Sequence, residues 1–286
     1  MNSAAWPAPA KLNLFLHVVG RRPDGYHELQ TVFQLLDLAD ELEFAVRDDG
    51  RLRRVEGSPD VPAAEDLVVR AARLLRTRTG ARQGADLIVR KRIPLQAGLG
   101  GGSSDAATTL VALNELWGTG LDEDRLAALG LELGADVPVF VRGRSAWAEG
   151  VGERLTPLDL PPRWFAVVWP AVAVPTAQVF QALELTRNTP PITIRSYLRS
   201  GGRNDCEPVV VSRHPEVRRA LEWLGHRGAA RLTGTGSCVF AAFDGRDEAV
   251  AALAGLPAPW LGFTARGLDV SPLAARRSAG RGTDLG

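Results

Sequence analysis

Residues 10–19, AKLNLFLHVV, alternate apolar side chains with Lys11, Asn13 and His17, the two-residue period of a strand that buries one face. The polar positions of that strand bring a lysine, an amide and an imidazole together. Gly20, Pro23, Asp24 and Gly25 supply turn chemistry, and β-like runs follow at 29–38 and 42–46, so the chain opens as a β-meander. Leu67, Val68, Ala71, Ala72, Leu74 and Leu75 then recur with helical spacing, and 85–93 alternates again as a strand.

The stretch 94–102, PLQAGLGGG, separates that strand from a helix expected over 103–117, with Ala106, Ala107, Leu110, Val111, Leu113 and Leu116 on its apolar side. A second helix over 122–133 begins with acidic residues and stops at Gly134, which puts Asp136 just past its end. Further strands are expected at 145–149, 164–169, 231–233 and 238–243, and helices near 176–185, 214–224 and 247–253. The mixture is α+β. The Pro-rich run 156–162, TPLDLPP, suits a linker, so a first lobe is expected over 1–158 and a second over 159–275. Residues 276–286 are rich in Arg, Gly and Ser without an apolar period and are expected to be a disordered tail.

Composition narrows the classes of partner. The chain has 286 residues, enough for two lobes, and 34 basic against 33 acidic side chains leave a net charge of +1. No overall field draws in nucleic acid or an acidic membrane. Cys206 and Cys238 have no CxxC spacing, so neither a disulfide framework nor a zinc site is expected, and no metal-ligand motif stands out. Residues 1–9 lack the basic and apolar regions of a leader, which points to the cytoplasm. The expected state is a monomer or a weak homodimer. Lysine is scarce: only Lys11 and Lys91 occur among the basic residues.

Glycines at 98, 100, 101 and 102 free the backbone to approach an anion, and the helix that follows adds its dipole and the hydroxyls of Ser103 and Ser104. The spacing matches neither GxxxxGK[ST] nor GxGxxG. A hinge or a serine-rich helix cap would produce a similar run, but the strand before it and the helix after it favour a phosphate cradle. A second glycine element, TGTGS at 233–237, lies between two β-like runs, where a tight turn is the plainer reading. Phosphoryl transfer needs alignment of donor and acceptor together with charge stabilisation. Lys11 can supply positive charge and Asp136 can accept a proton.

Three segments resemble the GHMP kinases, named for galacto-, homoserine, mevalonate and phosphomevalonate kinases. They are PAPAKLNLFLHVVGRRPDGYHELQTVF near the start, IPLQAGLGGGSSDAATTLVALNELW in the middle and RLTGTGSCVF late in the chain. DGYHELQTVFQ, GADVPVFVRG, VPTAQVF and NDCEPVV are similar to the branch that phosphorylates a diphosphocytidyl-methylerythritol in the non-mevalonate route to isoprenoid precursors. The resemblance implies a two-lobed α+β GHMP kinase fold with its site in the cleft between the lobes. It further implies ATP as phosphate donor, Mg²⁺ with the ATP, and a small CDP-linked sugar alcohol phosphorylated on its 2-hydroxyl.

Residue by residue, the resemblance makes Lys11 and Asp136 catalytic and Asn13 a neighbouring polar contact. Tyr26 and Phe180 would stack on the cytosine and His27 would bond its edge, with Phe33 lining the same site and Thr176 reaching a polar group. Gly98, Leu99, Gly100, Gly101, Gly102, Ser103 and Ser104 would cradle the ATP phosphates, with Lys91 beside them and Gly234, Thr235 and Gly236 opposite. Asp66 falls in the region that touches adenine, where an ionised carboxylate cannot donate. Two rival readings remain: another GHMP kinase with a smaller acceptor, and a catalytically silent ligand sensor on the same fold.

Overall fold

A computed structural model describes residues 5–281. Strands β1 (Trp6–Arg21) and β2 (His27–Arg47) form one long antiparallel ribbon from Arg21↔His27 to Trp6↔Leu42, its register shifting between Pro9 and Lys11, Asn13 and Leu16, and Val18 and Gly20. The break expected between 38 and 42 does not occur. Asp40, which lies in that interval, is fully buried: its carboxylate accepts from the backbone N–H of Ile93 at 2.8 Å and from that of Arg92, and meets Lys91 Nζ. Its backbone keeps the strand pairing while its side chain is satisfied from the neighbouring loop, which is what burial of a charge demands.

Beyond β2, β3 (Leu52–Glu56) runs parallel to β4 (Gly84–Arg90), with α1 (Leu67–Thr79) between them in sequence. The glycine loop feeds α2 (Gly101–Leu116), followed by α3 (Glu123–Leu133) and a short α4 (Val137–Arg142) that the apolar pattern did not reveal. Pro138 stands near the start of α4, where its missing N–H costs nothing. Next come β5 (Ala146–Gly150), β6 (Arg154–Pro157) and β7 (Trp164–Trp169). Strand β6 takes up the first two residues of the expected linker, and pairing ends at Pro157.

The second half contains α5 (Thr176–Gln181), α6 (Ile194–Ser200), α7 (Glu207–Arg213) and α8 (Pro215–Gly225). It continues through β8 (Arg231–Leu232), β9 (Val239–Phe243), α9 (Arg246–Ala251), β10 (Leu261–Leu268) and α10 (Pro272–Arg281). The strand order β3-β4-β2-β10-β7-β9-β8 makes β10 the link between halves, antiparallel to β2 at Leu36 and Leu35 and to β7 along its length.

Two main clusters form the cores, one chiefly from each half, although Leu16 and Val18 of β1 join the second and a further cluster with Leu12, Leu99, Phe165 and Val167 spans both halves. In the first, Ala106, Ala107, Leu110, Val111, Ala112 and Leu113 of α2 pack with Val68, Ala72 and Leu75 of α1 and with Phe140 of α4. The alanines let α1 and β1 approach α2 closely, and each large side chain fully buried there contributes about 1.5–3 kcal/mol. In the second, Val168 of β7 and Val239 and Ala241 of β9 pack with Val217, Ala220 and Leu224 of α8.

The expected disordered tail is corrected over 276–281, which continues α10. Leu273 enters the first core, Arg276 lies 3.9 Å from the Trp6 ring centroid and donates to Ala5 O at 2.7 Å, and Arg277 reaches Glu123. These anchors hold a segment whose polar composition gives no periodic signal, and they place 272–275, expected in the second lobe, against the first. Residues 282–286 lie outside the described residues.

Candidate active site

A cleft of about 540 Å³ lies where β1, the glycine loop, the start of α2, α5 and the turn after β8 converge. Lys11, Asn13, Phe33, Gly98, Gly100, Gly101, Gly102, Ser103, Asp136, Thr176, Phe180, Gly234 and Thr235 all line it. The alternation in β1 places Lys11 and Asn13 on the same side, and both are buried.

The first intrahelical bond of α2 runs from Ser104 N–H to Gly100 O at 2.9 Å, so the amides of Gly101, Gly102 and Ser103 have no helical acceptor and face the end where the dipole is positive. Gly100 caps the helix in the left-handed region at φ 73°, and a Cβ there would sit 2.8 Å from Phe140 and 3.0 Å from Lys11 Cε. Gly98, at φ 77°, touches the opposite glycine turn so closely that a Cβ would lie 2.4 Å from Thr233 O. Both glycine elements thus meet at one edge of the cleft.

All three Lys11 ammonium donors find acceptors: Asn13 Oδ1, Gly98 O at 3.1 Å and Asp136 Oδ2 at 3.2 Å. Its ammonium also stands 5.5 Å from the Phe33 ring centroid. Asp136, expected just past one helix, lies between two, at the residue before α4, and its side chain is about one-third exposed to the cleft. A carboxylate that caps no helix N–H keeps its oxygens for Lys11 and for whatever enters. Thr176 and Thr235, assigned by resemblance to different ligands, share a hydrogen bond of 2.9 Å.

Several expected contacts are arranged differently. Tyr26 is 63 % exposed and makes no ring contact among the described residues; the ring packed on Phe180 is His27, at 5.2 Å and 25°. Burial, reinforced by Arg187 and Arg21, holds the His27 imidazole below the usual histidine range. Lys91 is not left free for phosphates: its ammonium meets Asp40 at 2.5 Å and Asp105 at 2.6 Å, beside a smaller recess. Burial opposes its charge, but the two carboxylates outweigh that and raise its pKa. Leu99 is a core side chain whose carbonyl accepts from Lys11 N–H, and the buried Ser104 hydroxyl has no partner among the described residues. Asp66 caps α1 through Val68 N–H and pairs with Arg54, so its side chain is structural.

Some supports were invisible in the sequence. Thr31 accepts from Asn13 Nδ2 at 2.9 Å and donates to Phe15 O; Thr233 accepts from Asn13 N–H and donates to Gly98 O. Asn204 donates to Leu232 O and Gly234 O, and Asp205 accepts from Val18 N–H and Thr189, so the NDCEPVV segment holds the second glycine turn against β1. NDCEPVV marked these residues as a motif, but nothing in the chain named their partners. Among the described residues no cluster of three His, Cys, Asp or Glu side chains could enclose a metal, and no helix is long and apolar enough to cross a membrane.

Family models for the GHMP kinases N terminal domain and the GHMP kinases C terminal match residues 66–144 and 182–260. The chain is 60% identical over 273 residues to a 4-diphosphocytidyl-2-C-methyl-D-erythritol kinase of Halorhodospira halophila, covering 94% of this chain and 95% of the relative. It is 61% identical to the enzyme of the same name from Alkalilimnicola ehrlichii, covering 96% and 94%. A crystal structure of a 4-(cytidine 5'-diphospho)-2C-methyl-D-erythritol kinase superposes with a TM-score of 0.79 at 37% identity, covering 92% of this chain and 99% of that one. A homoserine kinase from Cytophaga hutchinsonii shares the fold at TM-score 0.70 and 16% identity, covering 94% and 95%.

Proposed function

The chain belongs to the GHMP kinases, and on that premise we propose that it transfers the γ-phosphoryl group of ATP to the 2-hydroxyl of 4-diphosphocytidyl-2-C-methyl-D-erythritol. As a GHMP kinase it uses ATP. The observation that carries the chemistry is the 3.2 Å approach of Lys11 Nζ to Asp136 Oδ2 in a cleft that also holds the unpaired amides at the start of α2. In this reading those amides and Ser103 hold the triphosphate, with Gly234 and Thr235 facing them. The acceptor oxygen attacks the γ-phosphorus as its bond to the β,γ-bridging oxygen breaks; Asp136 takes the hydroxyl proton, and ADP leaves. Lys11 steadies the negative charge on the acceptor side and, through Gly98 O, ties the loop to β1.

Mg²⁺ belongs with the ATP. The cleft offers one carboxylate, Asp136, and a few hydroxyls, a donor set suited to an ion held chiefly by phosphate oxygens and water. It would neutralise phosphate charge there. We place the division between lobes at 158/159, assign Tyr26, His27, Phe33, Thr176 and Phe180 to the cytidine-linked substrate, and expect the protein to act in the cytoplasm. A coupled assay of ADP release with ATP and the diphosphocytidyl alcohol tests the reading. Turnover with that acceptor alone, among it, mevalonate, homoserine and galactose, is the expected result; none with it refutes the substrate assignment.

A further inference from the structure

Arg187 is engaged by all five of its guanidinium N–H groups. Nη1 donates to Leu185 O at 3.0 Å and Leu183 O at 3.5 Å, Nη2 to Phe180 O at 3.1 Å and Ala182 O at 2.5 Å, and Nε to His27 Nε2 at 3.1 Å. Four of these acceptors are carbonyls at and beyond the C-terminal end of α5, where helical partners run out. The guanidinium cannot swing aside without abandoning them. No motif in the chain marks this arginine.

An arginine only donates, so the His27 nitrogen facing it must carry the lone pair, and a neutral imidazole then has its proton on Nδ1. Nδ1 itself makes no hydrogen bond among the described residues. We propose that Arg187 is a positioning residue that fixes His27 as its Nδ1–H tautomer, so that the ring meets the substrate's pyrimidine as a hydrogen-bond donor. The same side chain holds the carbonyl of Phe180, the ring on which His27 stacks. Donor and stacking surface are therefore set by one group. Cytosine presents adjacent acceptors, N3 and O2, where uracil carries a proton on N3; a fixed donor suits the former edge, whereas the other tautomer would offer it a lone pair. The pull on His27 away from protonation, from burial first and then from Arg187 and Arg21, agrees with this arrangement. The recipient of the bond rests on the cytidine reading above, while the tautomer does not.

Imidazole ¹⁵N spectra of the ligand-free protein test the tautomer directly, since only four histidines are present and His27→Asn assigns the signal. Nδ1–H is expected in the wild type, with Nε2–H appearing in Arg187→Met; a wild type dominated by Nε2–H overturns the proposal even if the arginine variant does not fold. The Michaelis constant for the diphosphocytidyl substrate supplies the second readout. Arg187→Met should raise it about tenfold while His27 is present, about 1.4 kcal/mol or one net hydrogen bond. In the His27→Asn background, where the introduced amide donates from the place of Nδ1 and has no tautomer, the same change should cost less than about twofold. Equal losses in both backgrounds would mean that Arg187 acts only by bracing α5, which overturns its role toward His27. A wild type that binds no CDP at millimolar concentration refutes the substrate reading instead, and is recognised separately because the tautomer is read without nucleotide.

Discussion

Replacing Gly98 by alanine would press the first glycine loop against the second. The new Cβ would begin 2.4 Å from Thr233 O, about an ångström short of ordinary contact, and 3.0 Å from Gly236 O, both backbone atoms that cannot rotate away. The residue would also hold φ at 77°, which costs an L-residue roughly 1–2 kcal/mol. Overpacking adds about 1–3 kcal/mol, so the total is about 2–5 kcal/mol. At about 2–3 °C per kcal/mol for a chain of this size, the melting temperature should fall by about 5–15 °C. Relief of the clash moves Gly98 O away from Lys11 Nζ, its partner at 3.1 Å, and a displacement near an ångström in a reacting group can reduce turnover about a hundredfold. Calorimetry and steady-state kinetics measure both effects. Gly118→Ala is the control: it shares a positive φ of 64° but meets nothing within 4 Å, so it should show the conformational cost alone. A Gly98→Ala protein with the melting temperature of the control and kcat/KM within threefold of wild type would refute this account of the loop.

Asp136→Asn keeps the shape of the side chain but removes the proton acceptor and the charge opposite Lys11, so kcat should drop about a hundredfold or more while circular dichroism stays unchanged; a loss below fivefold would mean the carboxylate is not the base. Asp105 gives a pH signature. Burial raises its carboxyl to about 7, with Lys91 opposing and Asp40 adding to the rise. A carboxyl raised on folding binds its proton more tightly in the folded state, so its stabilisation is complete below its ordinary value of 3.8 and is lost as pH rises through about 7. Asp105→Asn should therefore flatten the fall in melting temperature between about pH 4 and 7, the interval between the unfolded and folded values; parallel curves for the two proteins would contradict it.

The centre of the site was legible because its residues sit in local patterns with chemical meaning: Lys11 and Asn13 share one side of an alternating strand, and the glycine run stands between strand and helix. Its supports were not, because each acts through a partner far away in sequence. Thr31 meaning a strut for Asn13, or Asn204 for Gly234, depends on tertiary approach, and Arg187 reads as an ordinary surface arginine until α5 ends beside it. The long β2 was hidden for a related reason: Asp40 breaks the apolar alternation, yet distant N–H groups accommodate its charge. The short α4, α6 and α7 escaped because six or seven residues give too few turns for a helical period to stand out.

Strand β10 carries a consequence for how the molecule comes into being. It is the seam between Leu35–Leu36 of β2 and the whole of β7, yet it is synthesised after every other strand of the described residues. On the ribosome each half can gather most of its own core, but the first lacks Leu273 and the sheet common to them cannot close until Leu268 has left the exit tunnel. The nascent chain therefore waits with two open edges until that strand emerges to join them.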